Sequence, residues 1–293
     1  MRFALFFSTA LALILAPSMT PWAAEPGSNT AEPALVLQAY LRATHARDFI
    51  EAYRYISAED RRVRDLDRYV RQRGALNGFA LEAARKLTES VEIKPAHKQL
   101  APDRIDAVVR YKVPNPDKAA ALLLNWNAYQ LNSLPVAERR ELIDSLEKKR
   151  REGSLDMIEK EEKFTLVKDA EGWRIFLNWA AGIKIPLRIL VSPSADVDVG
   201  LSKNQVVVQP GDLFEISLRM KNRSSLPVTA RIGHLVEPPA VADYLDFVQC
   251  GFLSPVRLEP GKEQEFSGTY LIRGDIPDNM RQLTLTYDFR LEK

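Results

Sequence analysis

The chain is poor in the residues that most catalytic and metal-binding sites draw on: its 293 residues include one cysteine and three histidines. A single thiol, Cys250, excludes an intramolecular disulfide and any zinc site built on paired cysteines. His45, His97 and His234 show no ligand spacing, and no P-loop, dinucleotide fingerprint or nucleophile motif is present. A strong charge of one sign is missing too. With 41 Lys and Arg against 39 Asp and Glu, the net of +2 supplies no field that would draw nucleic acid. Beyond residue 16 no apolar run approaches the roughly 20 residues of a membrane helix. These gaps point away from an enzyme and from a nucleic-acid partner.

What is present begins with an export signature. Arg2 precedes a weakly polar to apolar run from Phe3 to Ala16, about the length of a signal-peptide core. The small pair Ala23-Ala24 offers a cleavage point, which makes residues 1–24 a signal peptide and the location periplasmic. Trp22 departs from the usual small residue and leaves an uncleaved anchor, hence membrane contact, as the alternative. Residues 26–32 read as a leader, and the remaining length suggests two domains.

The first domain is expected over 25–183. Leu37, Tyr40, Leu41 and Thr44 follow a helical spacing from Pro33, and Phe49, Ala52, Tyr53 and Ile56 repeat it. Ser57-Ala58-Glu59-Asp60 has the pattern of a helix start, with that helix running to about Val70. Residues 91–113 turn strand-like around Pro102-Asp103. A helical insertion at about 117–153, broken near Pro135, precedes two more strands joined at Ala170-Glu171-Gly172. Helices first, then strands ending in Gly-Trp-Arg, resemble the cone-shaped ketosteroid-isomerase-like fold of the nuclear transport factor superfamily. A ligand-binding cone of that kind would enclose an apolar pocket lined from Tyr40, Tyr53 and Trp173. Asp48, Tyr53 and Asp106 are the conceivable acid-base residues there, and read better as surface carboxylates and a core tyrosine. The basic run at residues 147–152 reads as a solvated helix end.

The second domain, 190–293, reads as all-β. Phe214, Ile216, Leu218 and Met220 alternate with Glu215, Ser217, Arg219 and Lys221, so one face of that strand must be buried. Val228, Ala230, Ile232 and His234 form a second such set, and Leu283, Leu285, Tyr287 and Phe289 a third. Gln209-Pro210-Gly211-Asp212 and Glu259-Pro260-Gly261-Lys262 are turns that need the positive φ of glycine. The fold class is therefore an α+β cone-like domain followed by an all-β immunoglobulin-like sandwich.

Asn222, Pro227-Val228-Thr229, Pro238, Tyr244, Gln249-Cys250 and Leu258-Glu259-Pro260-Gly261 occur in the order and spacing of one known family. This stretch resembles the CtaG-type assembly factors that deliver copper to cytochrome c oxidase. With the export signature, the resemblance implies an assembly factor that handles Cu(I), with Cys250 as a thiolate ligand and a respiratory oxidase subunit or another periplasmic protein as partner. It also shows departures. Phe252 stands where the family has its second thiol, Leu253 replaces the closing aromatic, and Phe247 occupies the place of a basic residue.

One thiolate is too few for tight Cu(I) binding, which calls for a second soft donor. A homodimer with paired Cys250 side chains would supply one; His234, Met220 and Met280 are the other candidates. His234 reads better as a hydrogen-bonded core histidine, because it shares its strand face with apolar residues. Tyr244, Gln249, His234 and Phe252 are expected as supporting or partner-contacting residues around Cys250. The alternative function is a non-metal periplasmic interaction module in which Phe252 offers an apolar contact.

Overall fold

The computed structural model describes residues 33–191, 196–252 and 254–292, with backbone only for 95–100. The expected signal segment, the leader, Leu253 and the side chain of His97 lie outside the described residues.

The N-terminal half packs helices on one antiparallel sheet. α1 (Pro33–His45) buries Leu37, Tyr40 and Leu41, as the spacing requires. Asp48 starts α2 (Phe49–Arg54) by accepting from the Glu51 amide, and Ser57 starts α3 (Ala58–Val63) in the same way from Asp60. The helix expected to reach Val70 breaks at Arg64, because Asp65 caps a new helix, α4 (Leu66–Arg73), through the Arg68 amide. α5 (Gly78–Thr88) follows. β1 (Glu92–Ala101), β2 (Arg104–Pro114), β3 (Met157–Asp169) and β4 (Gly172–Phe176) then pair in chain order. Between β2 and β3 the insertion forms α6 (Pro116–Leu122), a 3-10 turn at Leu124–Trp126, α7 (Ala128–Ser133) and α8 (Val136–Arg151). It shares an apolar cluster with α5 that is separate from the cluster between α1 and the sheet.

The C-terminal half is β-rich. One sheet holds β6 (Val197–Leu201), β8 (Leu213–Asn222), β12 (Glu263–Ile272) and β10 (Leu245–Cys250), with β10 at an edge. The other holds β5 (Ile183–Val191), β7 (Gln205–Val208), β9 (Val228–Glu237), β11 (Val256–Leu258) and β13 (Thr284–Leu291), where β5 and β13 run parallel. Phe214, Ile216, Leu218 and Met220 of the first sheet and Ala230, Ile232, Leu285 and Phe289 of the second share one core, compatible with a β-sandwich. Gly211 and Gly261 adopt φ of 89° and 68° in the two Pro-Gly turns, where a Cβ would be strained. Among the described residues no helix is long and apolar enough to cross a membrane.

The two halves meet around a buried carboxylate. Asp278, from the loop between β12 and β13, accepts from the Tyr69 hydroxyl at 2.8 Å and lies 3.8 Å from both Arg64 and Arg73. Arg73 donates to the carbonyls of Asp275 and Ile276 at 2.7 Å, and Arg64 lies over the Trp179 ring, 4.3 Å from its centroid.

Candidate functional site

Cys250 is the last residue of edge strand β10, half-buried and packed against the β-rich core. Its backbone faces Gly268 on β12, and the Gly251 amide continues the pairing with a 2.8 Å bond to the Ser267 carbonyl. The bare Cα of Gly268 leaves room for the Tyr270 phenol, which a Cβ would meet at 2.9 Å. A β-bulge between Phe247 and Gln249 re-aims the strand just before the thiol.

An aromatic cluster surrounds His234. Its ring stacks on Phe252 with centroids 5.5 Å apart and meets Phe247 at 4.6 Å. Nε2 of His234 is 3.2 Å from the Tyr270 hydroxyl, which accepts from the Tyr287 hydroxyl at 2.9 Å. While accepting from Tyr287, Tyr270 keeps its own O–H available to donate to Nε2, an arrangement that suits a neutral imidazole. Burial agrees, pulling the His234 pKa down from 6.5 to about 4. Burial also pushes both tyrosines well above their usual value, and Cys250 is close enough to push each the same way. The thiol thus sits at the rim of a chain that runs Tyr287, Tyr270, His234.

The expected residues are brought together only in part. His234 and Phe252 join the cluster beside which Cys250 sits. Gln249 is exposed, and Tyr244 lies at the opposite end of β10, about 20 Å of extended chain away. There Arg273 covers the Tyr244 ring. Phe252 as a surface contact is corrected by its burial: it is 0% exposed, wedged between His234 and Tyr287. Phe247 is the exposed aromatic instead, at 42%, with Val248 beside it. Tyr270 was not anticipated from the sequence; an alternation reading of β12, with Gly268 two positions earlier, was the available signal.

As a metal site the arrangement is incomplete within one protomer. Among the described residues no group of three or more His, Cys, Asp or Glu could hold an ion. Met220 is fully buried in the core, and Met280 lies in the loop near Arg64. The acid-base candidates of the N-terminal half also have structural occupations. Asp48 caps α2 and accepts two bonds from Arg85, Tyr53 donates to the Arg64 carbonyl, and Asp106 accepts from Thr165. The expected pocket differs as well. A cavity of about 320 Å³ is lined by Tyr40, Tyr111 and Phe164, whereas Tyr53 and Trp173 do not reach it.

Asn222, one of the residues that carry the resemblance, is fully buried at the end of β8. Its side-chain amide donates to the carbonyls of Leu226 and Leu258 at 2.7 and 3.1 Å, while its oxygen accepts from the Ser224 amide. It ties the turn after β8 to the strand before the Pro-Gly turn at 260–261.

Residues 158–290 match the family model for cytochrome c oxidase assembly protein CtaG/Cox11. The chain is similar to the cytochrome c oxidase assembly protein CtaG of Rhizobium meliloti (strain 1021), with 31% identity over 38% of this chain and 61% of that protein. It is similar to the protein of that name from Sinorhizobium fredii (strain NBRC 101917 / NGR234), with 29% identity over 36% and 56%. For the one from Sinorhizobium medicae (strain WSM419), identity is 27% over 35% and 57%. The chain spans between 56% and 61% of the length of these relatives. The C-terminal region of this chain is therefore of the CtaG type.

Proposed function

We propose that this protein is an exported assembly factor acting in cytochrome c oxidase maturation, with an immunoglobulin-like C-terminal domain that engages an oxidase component. The match of residues 158–290 to the assembly-factor family carries this reading. Cu(I) is its cargo, and Cys250 contributes one thiolate. With Phe252 buried at the place of the second thiol, the other donor comes from the partner, either an oxidase subunit or a second copy of this chain. A soft ion held by few ligands passes between proteins by ligand exchange, so an incomplete site suits transfer better than storage. The test is an anaerobic Cu(I) titration of the reduced protein and of Cys250→Ser, each alone and mixed with the copper-receiving domain of an oxidase subunit. The wild type is expected to bind copper cooperatively with that domain, and the variant to lose the effect. Equal binding by both proteins in both settings overturns the copper assignment.

A second reading is favoured by one observation, the exposed Phe247-Val248 pair on an edge strand. Here β10 captures a partner without metal. Phe247→Ala then abolishes capture of the oxidase subunit while chelators leave it intact; chelator-sensitive capture that survives Phe247→Ala rejects this reading.

A further inference from the structure

A second cavity, of about 400 Å³, opens beside the C-terminal end of α1, and its lining includes none of the residues around Cys250. Phe49, Leu87, Ala119 and Trp126 give it apolar walls, and Arg47 and Arg73 stand with Asp275 at its charged end. That size and mixture are typical of small-molecule sites, which combine apolar walls with a few placed polar groups.

Two further features single it out. Leu124, Asn125 and Trp126 have φ of 47°, 54° and 60°, three left-handed residues in a row. Each costs about 1–2 kcal/mol for an L-residue, and asparagine alone of the three adopts this geometry readily. The turn is held by bonds from the Trp126 amide to the Leu123 carbonyl and from the Asn127 amide to the Leu124 carbonyl, at 2.8 and 3.1 Å. Strain of this kind gathers at ligand clamps, and here it carries an indole into the cleft wall. The second feature is unbalanced charge. Arg47, itself at a φ of 54°, is half-buried, so burial lowers its pKa; Asp275 opposes this and Arg73 adds to it. Asp275 is already held by Arg273 at 2.6 and 2.9 Å, and Arg73 shares Asp278 with Arg64. Four guanidiniums, those of Arg47, Arg64, Arg73 and Arg273, thus share two carboxylates, Asp275 and Asp278. His45 also lines the cleft, and burial keeps it neutral, so it neither adds to nor offsets this charge.

We propose that the cleft binds a small organic anion, its acid group between Arg47 and Arg73 and a flat apolar body against Trp126 and Phe49. Because Arg73 also holds the loop of the C-terminal half, occupancy fastens the two halves to each other. The full chain is to be titrated calorimetrically with naphthalene-2-carboxylate, its neutral carboxamide and the corresponding aminomethyl cation, alongside Arg47→Gln and Trp126→Ala. The carboxylate is expected to bind saturably and raise the melting temperature, the amide to bind about tenfold more weakly and the cation not to bind, since a charge-assisted pair contributes roughly that factor. Each folded variant should lose about tenfold for the carboxylate. No saturable carboxylate binding to the wild type, equal binding of all three probes, or undiminished binding in either folded variant overturns the proposal.

Discussion

The imidazole of His234 lies face to face with the ring of Phe252, their planes 25° apart, so the phenylalanine two residues after Cys250 packs against the histidine. The cluster reads as an interior scaffold with one sulfur at its margin. Its properties should show first in pH dependence. His234 and His45 both have folded pKa values of about 4 against an ordinary 6.5. The unfolded chain therefore takes up these protons first as pH falls, and their contribution is fully present above about 6.5 and lost on descending towards 4. Each is expected to contribute on the order of 1–2 kcal/mol, after discounting for partial exposure. Urea denaturation at pH 7 and pH 4.5 should show a smaller loss for His234→Phe than for wild type; identical losses contradict the neutral, buried assignment.

The two phenylalanines flanking Cys250 should behave oppositely. Phe252→Ala empties a fully enclosed site and is expected to cost about 3–5 kcal/mol. Phe247→Ala, at a largely open position, should cost under about 1 kcal/mol. Chemical denaturation of both variants distinguishes them, and comparable costs would show that the burial contrast is wrong.

Asp278→Ala should be among the most damaging single changes. It leaves Arg64 and Arg73 buried without their counter-charge, and breaking such a pair costs about 3–5 kcal/mol. Asp278→Asn, which keeps the shape, should recover little of this, because the lost element is charge. Thermal melts of the two variants check the point; a near-native Asn variant would assign the role to the hydrogen bonds from Tyr69 and Tyr40.

Asn222→Ala should cost about 2 kcal/mol, since the buried Leu258 carbonyl would lose its side-chain donor and the Leu226 carbonyl would keep only the Ser224 hydroxyl. Aspartate would fare no better, having no N–H to offer. Hydrogen exchange is expected to rise in the turn after β8 and around Leu258 before it rises elsewhere, and uniform acceleration would contradict a local tie.

Much of the β-rich half was legible because a period of two survives wherever one face is buried. Leu213–Asn222 is the strand its alternation describes, and His234 falls on the inner face with Ala230 and Ile232. β13 was less transparent: Thr284 and Thr286 are buried along with Leu285 and Tyr287, so alternation alone understated its enclosure. In the N-terminal half the kink at Arg64 was hidden because an Asp cap inside a charged run looks like helix surface until tertiary partners draw the arginine inward. The cluster around Cys250 depends on Tyr270 from β12 and Tyr287 from β13 meeting across strands; local spacing can place each on an inner face but does not announce that they meet. Phe252 was misjudged for the same reason, since a turn residue after a glycine gives no sign that the chain tucks it beneath a histidine.

The family match begins at residue 158, just inside β3, whose register with β2 runs from Met157 opposite Pro114 to Val167 opposite Arg104. A fragment cut at that point would pull β3 and β4 away from their sheet and bring Asp278 without the arginines that neutralise it. Boundaries drawn from sequence likeness and boundaries drawn from packing therefore diverge here, and a shortened protein made for copper or partner assays should begin at α1.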